Sequence, residues 1–247
     1  MTVHCCGLMI DWLGYATTRI KWPHGTVAYV DPGRYGVLTG EWQPESPELA
    51  EAHPESTDYR AQDGDVVVVT HDHHYDSDGI QRVARDDATV VVYDAVYPKN
   101  IDRDVLPVSD LPYEVIRVDD EADLLIGNLI VRSVAASTHP AEPSGQSAHP
   151  PGFGCGYLLT ADDTTVFWPG DSDVLEGHEA LDVDVFLPPL DEDITMSPAR
   201  AADLAEALDP DLVLPVHYNT FPGLSADSGA FAADVAKRGV PVVLDEQ

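Results

Sequence analysis

Four side chains of the metal-binding type lie close together in one short stretch of the chain: His71, His73, His74 and Asp76. Neutral imidazole and carboxylate are the ligands that zinc and similar divalent ions prefer. A His-x-His pair alone is weak evidence, because 10 histidines in 247 residues give about 0.4 such pairs by chance. The extra histidine and aspartate in the same stretch strengthen the case, and we predict a metal site here.

The elements around this stretch place it at the end of a core strand. Residues 66–69 are four consecutive valines, which predict a strand buried on both faces. Residues 79–84 begin an amphipathic helix, and residues 88–93 form the next β-branched run. Strand, helix and strand in this order imply a parallel pair, and ligand sites in layered α/β folds lie at such strand ends.

The rest of the chain reads as short strands with few helices. Residues 34–64 lack a clear period and predict a long surface loop, whose Tyr35 and Trp42 are candidates to line a cleft. Ser197 and Pro198 open one predicted helix, which extends to residue 208, and a second covers residues 225–238. Further strands are predicted at 9–13, 17–22, 26–30, 113–118, 124–126, 129–135, 156–160, 165–168, 183–187, 212–216 and 240–244.

Polar residues that can bind metals recur where predicted strands stop. Taken alone, Asp171 is as readily a turn carboxylate, and His217 is more readily a satisfied strand-end histidine. Five recurrences at strand ends are unlike a merely structural set, and they favour a shared site. The positions are Asp31, His71 with His73, His139, Asp171 and His217.

The composition is strongly acidic, with 44 Asp and Glu against 13 Lys and Arg, a net charge of −31. The hydrophobic content of 44% predicts a folded rather than a disordered chain. A folded chain of this charge repels itself in dilute salt, whereas at about 1 M salt the Debye length is only ~3 Å. We therefore predict a cytoplasmic protein of a halophilic cell that does not bind nucleic acid.

The length of 247 residues fits one large domain or two small ones, of which we expect a single domain spanning residues 1–247, with no membrane partner. No run of 18 apolar residues occurs, so no transmembrane helix is expected. Cys5, Cys6 and Cys155 are few and odd in number, and we expect reduced thiols.

Three motifs together resemble the metallo-β-lactamase superfamily. Residues 70–80, Thr-His-Asp-His-His-Tyr-Asp-Ser-Asp-Gly-Ile, resemble its T-H-x-H-x-D-H-x-x-G-I signature. Residues 168–173, Trp-Pro-Gly-Asp-Ser-Asp, resemble G-D-T-D, and residues 214–218, Leu-Pro-Val-His-Tyr, resemble the final P-x-H-Y. The resemblance covers nearly the whole chain in the right motif order, and it is strongest to the lactonase-like (UlaG-like) branch.

This resemblance implies an α+β fold, a four-layer αβ/βα sandwich with metals in a cleft between its two sheets. It implies that His71, His73 and a histidine from 139–149 hold a first metal. Asp171 would bridge to a second metal that His217 also binds, and these two residues would serve the hydrolytic reaction. The expected cofactors are one or two divalent ions, zinc first, with manganese or iron as alternatives.

The chain departs from the family at Tyr75-Asp76, where the signature has Asp-His. Without a gap, Asp76 takes the place of the histidine and becomes a ligand of the second metal. That ligand set would be richer in oxygen and would favour manganese. The alternative is that Asp76 is a carboxylate at a helix start, facing solvent.

Two histidines compete for the third position at the first metal. His139 directly follows a predicted strand, whereas His149 lies in a proline-rich loop, in a stretch that resembles H-P-x-G-x-G of some relatives. We favour His139, because residues at strand ends are held more rigidly than residues in mid-loop.

Three functions fit this sequence. The first is a metal-dependent hydrolase of a small-molecule ester, lactone or phosphodiester. The second is a metal-binding protein without turnover, if Tyr75 removes the second metal site. The third is a nuclease of the same superfamily, which the acidic composition disfavours.

The acidic composition leads to a prediction about salt. We expect the midpoint of thermal unfolding to rise steeply from dilute to molar KCl, because screening removes the self-repulsion of the folded chain. A parallel series in sucrose, which adds no ions, serves as the control and should raise the midpoint far less. A midpoint that is independent of KCl would contradict the halophilic interpretation.

Overall fold

Two mixed β-sheets form the body of the computed structural model, which describes residues 1–33, 62–97, 99, 105–139, 147–191, 194–220 and 224–245. The first sheet has seven strands in chain order and the second has six. Buried side chains of both sheets belong to one continuous hydrophobic cluster. This arrangement, with few helices, is the α+β sandwich that the sequence predicted.

The first sheet begins antiparallel and ends parallel. Strands β1 to β4 pair antiparallel, and β4 to β7 pair parallel. The valines of β5 are fully buried, and burying one such side chain contributes about 1.5–3 kcal/mol. Helix α1 (Ser77–Val83) connects β5 to β6. The strands are β1 (Thr2–Cys5), β2 (Leu8–Trp12), β3 (Thr18–Lys21), β4 (Val27–Val30), β5 (Gly64–Val69), β6 (Ala84–Tyr93) and β7 (Glu114–Val118).

The second sheet repeats the same plan, antiparallel first and parallel afterwards. Strands β8 to β11 pair antiparallel, and β11 to β13 pair parallel. The strands are β8 (Asp123–Ile126), β9 (Leu129–Ala136), β10 (Gly154–Ala161), β11 (Thr164–Trp168), β12 (Val185–Phe186) and β13 (Leu212–Val213).

Two longer helices belong to the second half of the chain, and they pack against each other. Helix α2 (Pro198–Leu208) has Ser197 as N-cap and Pro198 in its first turn, as the sequence predicted. Helix α3 (Ser228–Lys237) begins at Asp227, whose carboxylate accepts a hydrogen bond from the Ala230 amide. No helix within the described ranges is long and apolar enough to cross a membrane.

The strand predictions hold for most of the chain, with three differences. The first strand, β1, was not predicted, because its four residues show no β-branched run. The predicted strand 240–244 forms only an isolated bridge between Val242 and Val213. The predicted loop 34–64 ends one residue early, because β5 begins at Gly64. Residues 34–61 of that loop, with Tyr35 and Trp42, lie outside the described residues.

The two sheets touch at the end of β5, where the polar stretch begins. The Tyr157 hydroxyl donates to the Val69 carbonyl (3.1 Å), and the Cys155 amide donates to the Thr70 carbonyl (3.2 Å). A Cβ on Gly154 would lie 2.7 Å from the Cβ of His71, so the close approach of β10 requires glycine there. Residues 70–74 are therefore clamped against the second sheet.

Helix α1 is held close to the end of β4 by a glycine, which leads to a stability prediction. A Cβ on Gly79 would lie 2.2 Å from the carbonyl oxygen of Pro32, and backbone cannot give way as a side chain does. We expect Gly79→Ala to lower the free energy of unfolding by about 1–3 kcal/mol. The matched control is Gly229→Ala in α3, where the nearest atom is 3.6 Å away, and we expect a gain of about 0.5–1 kcal/mol. Equal denaturant midpoints for the two variants would contradict this interpretation.

Candidate metal centre

The carboxylate of Asp171 lies at the centre of a buried cluster of four imidazoles. Its Oδ1 is 3.3 Å from Nε2 of His217 and 3.5 Å from Nε2 of His74. Its Oδ2 is 3.5 Å from Nε2 of His71 and 3.4 Å from Nε2 of His149. Each carboxylate oxygen therefore faces two imidazole nitrogens.

A fifth histidine, His73, completes one side of this cluster. Its Nδ1 is 3.2 Å from Nε2 of His149, and its ring is half-buried. Ligand atoms of His71, His73 and His149 lie within 4.8 Å of one another, and so do those of His71, His74 and Asp171. The described residues thus offer two adjoining groups that can each hold a metal ion.

Unsatisfied buried atoms show that this cluster fits metal ions. Nε2 of His71, His74 and His217 and Oδ1 of Asp171 are buried without a hydrogen-bond partner. An unsatisfied buried polar atom costs about 1–3 kcal/mol, so four of them converging on one place call for a ligand. Imidazole nitrogens arranged around one carboxylate are a donor set suited to zinc and similar ions.

The protonation states of the cluster also fit metal binding. Burial lowers the pKa of His149 and of His217 to about 4 and also lowers the pKa of His71. Burial alone would raise the pKa of Asp171, but the imidazoles of His217, His74 and His71 hold it well below its usual range. The lowered pKa values of His71, His149 and His217 favour neutral imidazoles, and the lowered pKa of Asp171 favours an ionised carboxylate, which are the forms that bind metals.

His74 enters the cluster because the chain turns sharply after β5. Residues Asp72–His74 form one 3₁₀ turn, in which the His74 amide donates to the His71 carbonyl (3.2 Å). Side chains three residues apart eclipse in a 3₁₀ turn, so His71 and His74 share one side, with ring centroids 4.2 Å apart. The sequence analysis counted His74 in the metal-binding stretch, but the ligand sets that the family resemblance implied did not include it.

Asp31 orients His74 from behind. Its Oδ2 is 2.9 Å from Nδ1 of His74 and accepts hydrogen bonds from Nε1 of Trp168 and Oγ1 of Thr70, both at 2.8 Å. Its Oδ1 accepts from the Thr70 amide (2.8 Å). A carboxylate on the far nitrogen of a histidine fixes the ring and its tautomer, which here directs Nε2 of His74 toward Asp171. Asp31, which follows the end of β4, therefore orients the ligand His74 and is not itself one of the ligands.

The structure does not bring Asp76 into the cluster. Asp76 is the N-cap of α1, where its Oδ1 accepts hydrogen bonds from the amides of Asp78 (3.0 Å) and Gly79 (3.2 Å). The buried Tyr75 donates its hydroxyl to the Leu106 carbonyl (2.7 Å). The alternative of a helix-start carboxylate is therefore what the structure shows, and the position next to Asp171 goes to His74.

The preference for His139 over His149 is reversed by the structure. The side chain of His139 is 60% exposed, and its Nδ1 lies 3.4 Å from Oδ2 of Asp173. His149 is buried in the cluster because Thr138 tethers it: the Thr138 amide donates to the His149 carbonyl, and the His149 amide donates to Oγ1 of Thr138. A mid-loop residue is thus held as firmly as one at a strand end. The predicted residues that the structure brings together are His71, His73, His149, Asp171 and His217.

These placements lead to a prediction about metal stoichiometry. We expect two divalent ions per chain in the wild type and a reduced content in His74→Ala, because His74 is one of the two histidines on Oδ1 of Asp171. Asp76→Ala is the matched control and should keep both ions, while losing about 0.5–2 kcal/mol of stability with its N-cap. Metal analysis of dialysed protein decides, and loss of an ion from Asp76→Ala alone would overturn this assignment.

Comparison with known proteins agrees with this fold and with a metal-dependent hydrolase family. The family model described as the beta-lactamase superfamily domain matches residues 9–217. A UPF0173 metal-dependent hydrolase of Thermococcus kodakarensis is 30% identical over 229 residues, covering 89% of this chain and 93% of the relative. One from Koribacter versatilis is 28% identical over 225 residues, covering 89% and 88%. Among solved structures, a metallo hydrolase of Ignicoccus hospitalis shares the fold with a TM-score of 0.65 at 19% identity, covering 97% of this chain and 95% of the other. The chain therefore belongs to the beta-lactamase superfamily and, within it, to the UPF0173 family of metal-dependent hydrolases.

Proposed function

We propose that this chain uses two divalent ions to hydrolyse a small ester or lactone. The observation that carries the proposal is the buried Asp171 carboxylate with two imidazole nitrogens facing each of its oxygens. His71, His73 and His149 would hold one ion and His74 and His217 the other, with Asp171 shared between them. This assignment supplies a full second ligand group despite the departure at Tyr75-Asp76, which weakens the alternative of a protein without turnover.

The bound ions would supply activated water at neutral pH and polarise the bond that is attacked. The protein would hold the ligands in place and shield the site with an apolar side chain. Asp31 holds the ring of His74, and the ionised Asp171 keeps the two groups of histidines in register. The ring of Phe153 lies with its centroid 5.2–5.5 Å from those of His71, His73 and His149, and forms an apolar wall. A water-poor site strengthens every electrostatic interaction with the reacting group.

We propose zinc as the resident ion. The expectation of manganese depended on Asp76 as an oxygen ligand, and Asp76 caps α1 instead. The remaining donors are five imidazoles and one carboxylate, and nitrogen-rich sets suit zinc, whereas manganese prefers oxygen. Iron also binds imidazole ligands, and metal analysis of the purified protein distinguishes iron from zinc.

The proposed substrate is small and uncharged at the reacting group. A chain with a net charge of −31 repels polyanions, which disfavours a nuclease. For the same reason we favour a neutral ester or lactone over a phosphodiester as the substrate. The motif resemblance to the lactonase-like (UlaG-like) branch supports the same choice. The acidic composition further supports our proposal that the protein works in the cytoplasm of a halophilic cell.

Metal removal tests the proposed function. We expect the wild type, assayed in molar KCl, to hydrolyse at least one member of a panel of lactones and esters. Chelator treatment should abolish this hydrolysis, and added zinc should restore it better than added manganese. A sample dialysed without chelator is the control. Full activity of protein shown to be free of metal would refute the proposal.

A further inference from the structure

A second group of ionisable side chains lies beside the metal centre and is not used by it. Oδ2 of Asp173 accepts a hydrogen bond from Nη1 of Arg200 and lies 3.4 Å from Nδ1 of His139. The side chain of Asp173 is only 8% exposed, whereas that of His139 is 60% exposed. A buried carboxylate thus faces one nitrogen of a histidine whose ring lies at the surface.

This pair is adjacent to the metal ligands along two chain segments. Asp173 follows Asp171 by two residues, which span about 7 Å in extended chain. On the other segment, His139 follows Thr138, whose backbone amide and hydroxyl both hydrogen-bond to the backbone of His149. His139 is therefore an exposed residue directly after Thr138, which holds the backbone of the ligand His149.

The Asp173 carboxylate is immobilised from several sides. Its backbone amide donates to the Ser137 carbonyl (2.9 Å), and its Oδ1 accepts from the Val174 amide (2.7 Å). Arg200, at the start of α2, also donates Nη2–H to the Val174 carbonyl (3.0 Å). This carboxylate faces Nδ1 of His139, so Nε2 lies on the opposite side of the ring, away from Asp173. A histidine oriented in this way by a third group is the usual arrangement of a general acid or base.

We propose that His139 is the general acid of the hydrolysis and that Asp173, held by Arg200, is its positioning residue. In ester or lactone hydrolysis, hydroxide adds to the carbonyl carbon, and the bond from that carbon to the alkoxy oxygen breaks. The departing alkoxide takes one proton from Nε2 of the His139 imidazolium. The neutral imidazole regains that proton from the next water, which leaves the hydroxide needed for the following turnover, so the sum is ester plus water to acid plus alcohol.

This inference rests on the proposed function, and leaving-group dependence tests it. An alkoxide is a poor leaving group that needs a proton, whereas para-nitrophenolate leaves without one. We expect His139→Gln to lower kcat/KM for ethyl butyrate by about 10²- to 10⁴-fold and to leave that for para-nitrophenyl butyrate little changed. Asp173→Asn should show a smaller loss with the same dependence. Metal content and the unfolding midpoint of His139→Gln should equal those of the wild type.

The matched control is His4→Gln, which changes an exposed histidine of β1 and should alter neither substrate. An equal loss on both esters, or loss of metal from His139→Gln, would overturn the acid role while leaving the proposed hydrolase function standing. A wild type that cleaves neither these esters nor any lactone of the panel would remove the proposed function and the acid role together.

Discussion

The structure depends on one buried negative charge, the carboxylate of Asp171, which is surrounded by imidazoles. Removing an ionised carboxylate from water is costly, and neutral imidazoles do not compensate its charge. Only cations between the carboxylate and the imidazoles do so, which makes the cluster a metal centre more readily than a structural network. His71 and His74 follow the first sheet, whereas Asp171 follows β11 of the second. The charge is therefore buried at the junction of the two sheets.

The backbone around this junction is held in uncommon conformations. Tyr15, Asp31 and His217 all have positive φ angles, of 50°, 45° and 75°. Such residues cost about 1–3 kcal/mol each and persist only where their surroundings fix them. Here the His217 amide donates to the Tyr15 carbonyl (3.0 Å), and Asp31 is fixed by its bonds from both Thr70 and Trp168. Seven other non-glycine residues in the described ranges also have positive φ, so only part of this strain lies at a ligand and at residues that hold the site.

Local patterns in the sequence were sufficient for most of the strands and for much of the cluster. The four valines of β5 located the site, because a strand buried on both faces holds the polar side chains that follow it at the edge of the core. The prediction that was wrong concerned which residue of the turn faces Asp171. An ungapped comparison gave the second-metal position to Asp76, but the 3₁₀ turn eclipses His71 with His74 and leaves Asp76 to cap α1. A turn type depends on three-dimensional packing and cannot be read from the motif alone.

The choice between His139 and His149 failed for a related reason. Position along the chain favoured the strand-end residue, whereas the outcome was decided by the hydrogen bonds between Thr138 and His149, which are invisible in the sequence. The same holds for Asp31: its place at a strand end was evident, but its role behind His74 required the geometry of both sheets. Candidate metal ligands were therefore easier to predict than the residues that orient those ligands.

The acidic composition places a second demand on the same junction. Several of the described arginines pair with carboxylates: Arg19 is buried between Asp11 and Asp63, and Arg238 contacts three acids. The chain keeps a net charge of −31, and this self-repulsion disfavours the compact state in dilute salt. Two divalent ions bound by ligands from both sheets would oppose that repulsion where the sheets meet. Because such a site does not exist in the unfolded chain, the free energy of metal binding is also free energy of folding. A metal centre at this place would therefore join the two sheets that supply its ligands, and its loss would weaken the fold as well as the site.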